Sequence, residues 1–461
     1  MSASAILNDA RLRVGALVGV CFLLGSTGWL AWLHNIVVLA PPQQVDFYTM
    51  VIGYLAQAIG IGAYMPVRWK AGKRIAAVAS MVAAGLYVVL LEPAASSTQL
   101  ASAVGFGFAM NLACGFFQGH YLTCLADLVN ARGRGIAFGA GYAASTLVTW
   151  VLSTVAGGAL ATGSPSVLAC VLIALLTILC IWSVKALPSS VERGDSGATT
   201  ADSGPKTTPA AALLVLAGIT VLVVSMVKNA GFSFPTADLS GSVNLELSRL
   251  FYGVGLIVAG ILADRDRRYV HICCAASLVT PFLMFALSSA EAPSMTLWAL
   301  GYLLFGFFTV FRVLLFTDLA DCIGHPWLAG AGLAIGRVGD VAGTALCLAL
   351  GGSAIVLISV CGVLFVVATA LLFVLYSRLY GPAAAAGEED VDPVAEFCKR
   401  YGLSEREQDV AFFVIDGFSN PKIARELSVS EATVKFHVRN ILKKTSTTNR
   451  HELIDLYKST L

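Results

Sequence analysis

Near the C-terminal end of the sequence, Lys435, Arg439 and Lys443 recur at i, i+4 and i+8, so on a helix they share one cationic row. Val434, Val438, Ile441 and Leu442 follow i, i+4, i+7 and i+8 and form the stripe that packs on the other side. A helix of this width fits the major groove of DNA. There lysine or arginine donates to guanine N7 and O6, and an apolar tip such as Phe436 meets a thymine methyl. The row alone equally describes a solvated helix face, so its surroundings must decide.

A second group lies in apolar sequence, where charge is expensive and ionisable side chains face a cavity or pair together. Arg312, Arg337 and Asp340 are of this kind. Arg337 and Asp340, three apart on one helix, can neutralise each other. Aligning two glycine-rich stretches puts Tyr142 and Ser145 opposite this pair. The pair is therefore not a need of both halves of the chain. We take Arg312, Arg337, Asp340 and Tyr142 as candidate contacts for a small-molecule ligand, and the arginines suit an anionic or polar aromatic one. Asp127, Asp318 and Asp321 fall at helix ends and read as gate or topology residues.

Other chemistry is weakly represented. No nucleophile, paired acid set or nucleotide motif stands out, so neither an enzyme nor a cofactor is expected. Ten of the eleven cysteines sit in apolar runs, Cys21, Cys170, Cys180 and Cys361 among them. The adjacent Cys273 and Cys274 lack a C-x-x-C spacing, and the histidines do not cluster with them, which argues against zinc or redox chemistry. Gly139 to Gly141 read as a close-packing surface rather than a phosphate loop.

The elements that must position these groups follow from composition. Of the 461 residues 57% are hydrophobic and 13% charged, against roughly 45–50% and about 25% in soluble domains. Charge is crowded at one end: 11 basic and 9 acidic side chains lie in residues 395–461. The net charge of +2 steers nothing by itself. About 20 apolar residues cross roughly 30 Å of hydrocarbon as a helix. Such runs recur near 14–38, 47–66, 75–92, 100–126, 136–160, 166–186, 210–233, 247–263, 269–290, 295–317, 328–350 and 353–377, about twelve in all. The first follows Arg11 and Arg13 without an A-x-A-like site and reads as a retained helix. The short alternating segments of a closed barrel are missing from the pattern.

Lysine and arginine in short loops set orientation. Arg68, Lys70, Lys73 and Arg74 share one loop, Arg132 and Arg134 another, and Arg265, Arg267 and Arg268 a third, each an even number of spans apart. Arg11, Arg13, Lys185, Arg193, Lys206 and Arg378 fall on the same side, and the opposite loops carry little beyond Lys228 and Arg249. Both termini are expected to be cytoplasmic.

The polar stretch 187–209 separates two six-span halves, 1–186 and 210–380. Gly115-Phe116-Phe117 precedes Leu125-Ala126-Asp127 as Gly306-Phe307-Phe308 precedes Leu319-Ala320-Asp321. Gly260-x-Leu262-Ala263-Asp264-Arg265-x-Arg267-Arg268 resembles the signature loop of the major facilitator superfamily. The matching first-half loop, Arg68 to Arg74, keeps the charge but lacks the Asp. The resemblance covers about residues 1–380 and implies a bundle with a midplane binding site.

Residues 381–394 are small and acidic and read as a connector; about 14 residues of flexible chain span roughly 20 Å. From 403 four short helices are expected. Ser404 with Glu407 forms a capping box, Gly417 ends the first helix, Ser419 caps the second, and Ser430 caps the third after Ser428-Val429.

Thr433-Val434-Lys435-x-His437-Val438-x-x-Ile441-Leu442-x-Lys444, with Ser419-Asn420-x-x-Ile423-Ala424-x-x-Leu427 before it and Asn449-Arg450 after it, resembles the LuxR-type helix-turn-helix domain. The resemblance implies base contacts by Lys435, Phe436 and Arg439 and phosphate contacts by Thr433, His437, Lys443 and Lys444. It also implies a last helix that commonly pairs two subunits. Pro421, Lys422 and Thr445 depart from its usual pattern, which bears on dimer packing more than on DNA.

The expected protein is all-α: a twelve-helix transmembrane sensor (1–380), a linker (381–394) and a four-helix DNA-binding domain (395–461). It sits in the bacterial inner membrane, senses a small molecule, binds promoter DNA, works with RNA polymerase and pairs as a homodimer on DNA. The alternative is a secondary transporter with a regulatory DNA-binding appendage. Against it stand the missing first-half Asp and a fourth span without the charge that many drug and sugar transporters carry.

Overall fold

The computed structural model describes residues 3–155, 164–185, 187, 210–238, 245–279, 282, 295–380, 393–415, 418–427 and 429–460. Every regular element among them is helical. The chain divides into two units, Met1–Gly381 and Pro382–Leu461. Gly417, Ser428 and nearly all of the two expected linkers lie outside the described residues.

In the first unit the helices are α1 (Ala3–Leu39), α2 (Gly53–Ser96), α3 (Leu100–Leu128), α4 (Ala131–Val155), α5 (Ser164–Lys185), α6 (Ala210–Asp238), α7 (Leu245–Arg265), α8 (Arg267–Ser277), α9 (Met295–Cys322), α10 (Ala331–Leu350) and α11 (Ala354–Tyr380). Nine segments among the described residues are long and apolar enough to cross a bilayer. One of them, Pro42–Ser96, is 55 residues long, more than twice what one crossing needs. It breaks at Gly72, whose φ of 79° only glycine adopts readily, so it holds two of the expected spans. The eighth expected span is α7, and the ninth is described over α8 and the few residues after it.

Hydrocarbon tails are as apolar as leucine, so helices in lipid associate through close packing of small residues rather than by escaping water. Helix α4 shows this on two sides. A side chain at Gly19 of α1 would start 2.9 Å from the Gly141 carbonyl oxygen. On the other side, one at Gly139 would start 2.3 Å from the Leu256 carbonyl of α7, and Gly135 and Gly260 stand in the same relation at 2.4 Å. Backbone thus meets backbone where the two halves cross, as expected for Gly139 to Gly141.

The second unit contains α12 (Pro393–Arg400), α13 (Glu405–Ile415), α14 (Asn420–Glu426), α15 (Glu431–Lys444) and α16 (Arg450–Thr460). Its own core includes Phe397, Cys398, Leu403, Val410, Val414, Ile423, Val434, Ile441 and Leu453. Helix α12 adds a fifth helix to the four expected. It brings Phe397, edge-on to Tyr457 at 5.5 Å, and Cys398 into that core.

The caps are mixed. The Ser404 N–H donates to Glu407, and Ser430 accepts from the Thr433 N–H, as expected. Ser419 sits at the N-cap of α14 but its side chain makes no capping bond. The second helical residue is Pro421, which has no N–H, and the Lys422 N–H goes to the Ser419 carbonyl instead. Asn449 caps α16 by accepting from the Glu452 N–H, and the Glu452 carboxylate accepts from the Thr448 N–H, a cap that the sequence reading missed.

Candidate functional site

Helix α15 carries the first candidate. Val434 and Ile441 are fully buried and Val438 and Leu442 partly so, while Lys435, Phe436, Arg439 and Lys443 are exposed. Phe436 is 57% exposed, far outside what packing would choose for an aromatic ring, and it lies edge-on to His437 at 5.5 Å. Glu431, one turn back, holds the Lys435 ammonium at 2.9 Å. That pair is open to solvent and worth little, so it gives way readily. Thr433 lies at the N-terminal end of the row against Ser430.

Lys444 faces the other way. Its ammonium donates to the Gly402 carbonyl and to the Glu407 carboxylate, fastening the end of α15 to α13. Thr445, where leucine is usual, is buried, and its hydroxyl donates to the Ile441 carbonyl at 2.9 Å, which lets a polar residue occupy the position.

The second candidate is a buried charge cluster in the first unit. Asp340 of α10 is fully buried and meets three cations: Arg312 of α9 at 3.2 Å, Lys228 of α6 at 3.3 Å and Arg337 at 3.5 Å. The expected Arg337–Asp340 pair therefore exists, but it is one side of a four-residue group in which three cations meet one carboxylate. The Asp340 backbone carbonyl accepts from Asn229. Phe308 lies beneath Arg312 at 5.0 Å and beneath Lys228 at 5.5 Å.

Lys228, counted with the loops in the sequence reading, is inside α6. A lone lysine in an apolar run signals nothing about its partner, which is 112 residues away.

Arg337 also lines a cavity of about 150 Å³, with Phe22, Trp29, Tyr54, Gln57, Gln118 and Tyr142 among others. The other lining residues belong to α1 through α4. Arg337 is thus the lining residue supplied by the second half, and its guanidinium lies 4.1 Å over the Tyr54 ring. Tyr142 stacks on Phe22 at 3.5 Å. Arg312 and Asp340 stand behind Arg337. Tyr54, Gln57, Gln118 and Trp29 had no sequence signal beyond lying in apolar runs, and only the fold assembles them.

The basic loops meet at one end of the bundle. Arg134, with its side chain 1% exposed, donates to Asp318 at 2.9 Å and Asp321 at 2.7 Å and to the Val129 and Ala126 carbonyls. Asp264 of the signature loop accepts from the Gly135 and Ile136 N–H groups of α4, joining the two halves. Arg267 joins Asp318 at 2.7 Å. The first-half loop lacks this device; there Arg68 meets Asp127 at 3.6 Å.

Residues 402–457 match the family described as bacterial regulatory proteins, luxR family. They form a LuxR-type helix-turn-helix domain. Similar curated proteins include the response regulator protein TmoT of Ectopseudomonas mendocina, 43% identical over 68 residues, which are 14% of this chain and 31% of that protein. Another is the HTH-type transcriptional regulator MalT of Vibrio campbellii (strain ATCC BAA-1116), 41% identical over 61 residues, 13% of this chain and 7% of that one. The chain thus spans about a third or less of these relatives.

For the remainder, the human organic anion transporter MFSD10 (TETRAN) superposes with a TM-score of 0.53 at 14% identity, covering 82% of this chain and all of that one. The major facilitator superfamily transporter FucP, in its outward conformation, gives 0.51 at 14% identity, covering 78% and 99%. The bundle has the major facilitator fold, and the protein is a multi-pass membrane protein.

Proposed function

We propose that this chain is a membrane-integral transcription regulator in which a facilitator-like bundle senses a small molecule and a tethered LuxR-type domain acts on promoter DNA. One observation carries the reading. The same chain holds an exposed Lys435, Phe436, Arg439 and Lys443 face on α15 and a charged cavity in the membrane.

Lys435, Phe436 and Arg439 read base edges, and Thr433, His437 and Lys443 meet phosphates. Lys444 stabilises the domain through Glu407 and reaches phosphate only when that bond opens. Two copies pair on DNA through α16, and RNA polymerase is the downstream partner. The basic end faces the cytoplasm of a bacterial inner membrane, where the chromosome is.

In the bundle the ligand contacts Tyr142 and Arg337, with Arg312 and Asp340 setting the charge behind them. A ligand drives the change only by binding one bundle state more tightly than the other; a difference of about 1.4 kcal/mol is tenfold. The movement has a direct route outward. Helix α8 begins with Arg267, which bonds Asp318, and one turn later presents His271 to Tyr376 and Tyr380 at 5.8 and 5.7 Å. Tyr380 ends α11, where the tether to the DNA-binding domain starts.

Transcript profiling of a deletion strain across a compound panel tests this reading. A compound-dependent response confined to a few genes, and lost with Lys435→Ala, is expected; altered uptake without it would overturn the reading. A secondary transporter is the second reading, favoured by the likeness to solved transporters over their whole length. It requires that proteoliposomes carrying the chain without residues 381–461 accumulate a substrate.

A further inference from the structure

We infer that the cavity takes a one-ring aromatic carboxylate. This rests on the reading of the cavity as the sensory site and names the chemical class it admits. Size is the first argument. An apolar cavity of about 150 Å³ accommodates benzene, and this cavity has about 150 Å³, enough for one ring and a small substituent.

The walls give the second. Phe22, Trp29, Tyr54 and Tyr142 place four aromatic rings around the space, and Phe22 and Tyr142 are already stacked. A planar ring packs against such walls edge-to-face or offset-stacked.

Charge gives the third. Arg312 and Arg337 both turn to the single carboxylate of Asp340, and excess charge at membrane depth is costly until an anion compensates it. Arg337 is the cation that reaches the cavity. Its Nη1 faces Asp340 at 3.5 Å, and its Nε has no acceptor among the described residues. A guanidinium edge of this kind matches the planar geometry of a carboxylate. A cationic amine meets like charge there, and a neutral amide leaves the excess uncompensated.

Binding would draw Arg337 from Asp340 toward the ligand. Because Arg337 comes from the second half and the other lining residues from the first, the ligand links the two halves directly.

The experiment holds shape constant and varies charge. Radiolabelled benzoate is bound to the full-length protein in lipid nanodiscs, with unlabelled benzamide and benzylamine as competitors. Saturable benzoate binding is expected, with both competitors at least tenfold weaker. In Arg337→Gln, where Asp340 keeps Lys228 and Arg312, the preference should shrink to within twofold. Ser26→Phe, which fills the cavity from α1, should abolish binding and serves as an independent variant. Benzamide or benzylamine competing as well as benzoate overturns the carboxylate class and leaves the cavity reading standing. No binding of any of the three overturns the class as well. Undiminished benzoate binding by Ser26→Phe removes the site itself, and the sensory reading of the cavity with it.

Discussion

The Lys444 ammonium lies 2.6 Å from the Glu407 carboxylate, so the last turn of the DNA-binding helix is fastened to the first turn of α13. Burial pushes the Glu407 carboxyl upward, but the Lys444 ammonium and the Ser404 N–H outweigh it and hold the group below its ordinary value. A depressed carboxyl contributes stability that is fully present above the ordinary value of about 4.3 and is lost as pH falls through the lower folded value. Protection of the α15 amides in the full-length protein, taken relative to intrinsic exchange at each pH, should therefore fall below about pH 4. Glu407→Gln should flatten that dependence and cost about 1–2 kcal/mol at neutral pH. An unchanged acid profile in the variant would assign the dependence elsewhere.

The exposed face of α15 makes a separable prediction. Arg439→Ala and Lys435→Ala should each weaken promoter binding by about 1–3 kcal/mol and relax base preference, whereas Lys443→Ala should weaken all sequences alike and lower the salt slope by about one. Phe436→Ala should lose discrimination with the salt slope intact, since it carries no charge. Titrations at several salt concentrations against matched and mutated promoters read both quantities. Equal effects of Phe436→Ala on every sequence would place its ring outside the groove.

Gly139 provides a test of the bundle. Its missing side chain would start 2.3 Å from the Leu256 carbonyl, and that neighbour is backbone, which cannot rotate away. Gly139→Leu should separate α4 from α7 and destabilise the bundle by at least the 1–3 kcal/mol typical of overpacking, visible as a lower melting temperature in detergent. Gly62 has open space around it, so Gly62→Ala should leave that temperature nearly unchanged.

Much of this architecture is written locally in the sequence. Apolar runs of bilayer length, the Ser430 cap and the 3.6-residue stripe through Val434 and Ile441 each depend on neighbours a few positions away. What escaped the sequence depends on distant partners. Lys228 and Asp340 are 112 residues apart, and nothing near either names the other. Tyr54 and Gln57 look like ordinary span residues until α2 packs beside α10. Helix α12 was missed because its eight residues follow an acidic connector, and only Phe397 meeting Tyr457 reveals that they close the core. Lys444 is the instructive case: its place in the motif suggested phosphate, but the fold hands its ammonium to Glu407.

His271 should matter to signalling more than to folding of either unit. Its ring packs edge-on against Phe311 at 4.6 Å and against Tyr376 and Tyr380, joining α8 to the root of the tether. Four residues before it, Arg267 bonds Asp318 and the Ala131 carbonyl, so α8 touches both halves of the bundle as well as the end of α11. Replacing His271 by alanine removes the contact with Tyr376 and Tyr380 and leaves the Arg267 bonds in place. The variant should bind inducer and promoter as the natural protein does, while the ratio of reporter output with and without inducer falls at least fivefold, the lower end of a typical coupling of about 1–3 kcal/mol. Arg267→Gln should act differently. By loosening the two halves from each other it should change reporter output without inducer, because it alters the resting balance between bundle states rather than its transmission. A His271→Ala strain that responds like the natural one would move the coupling path away from α8 and onto another contact of α11.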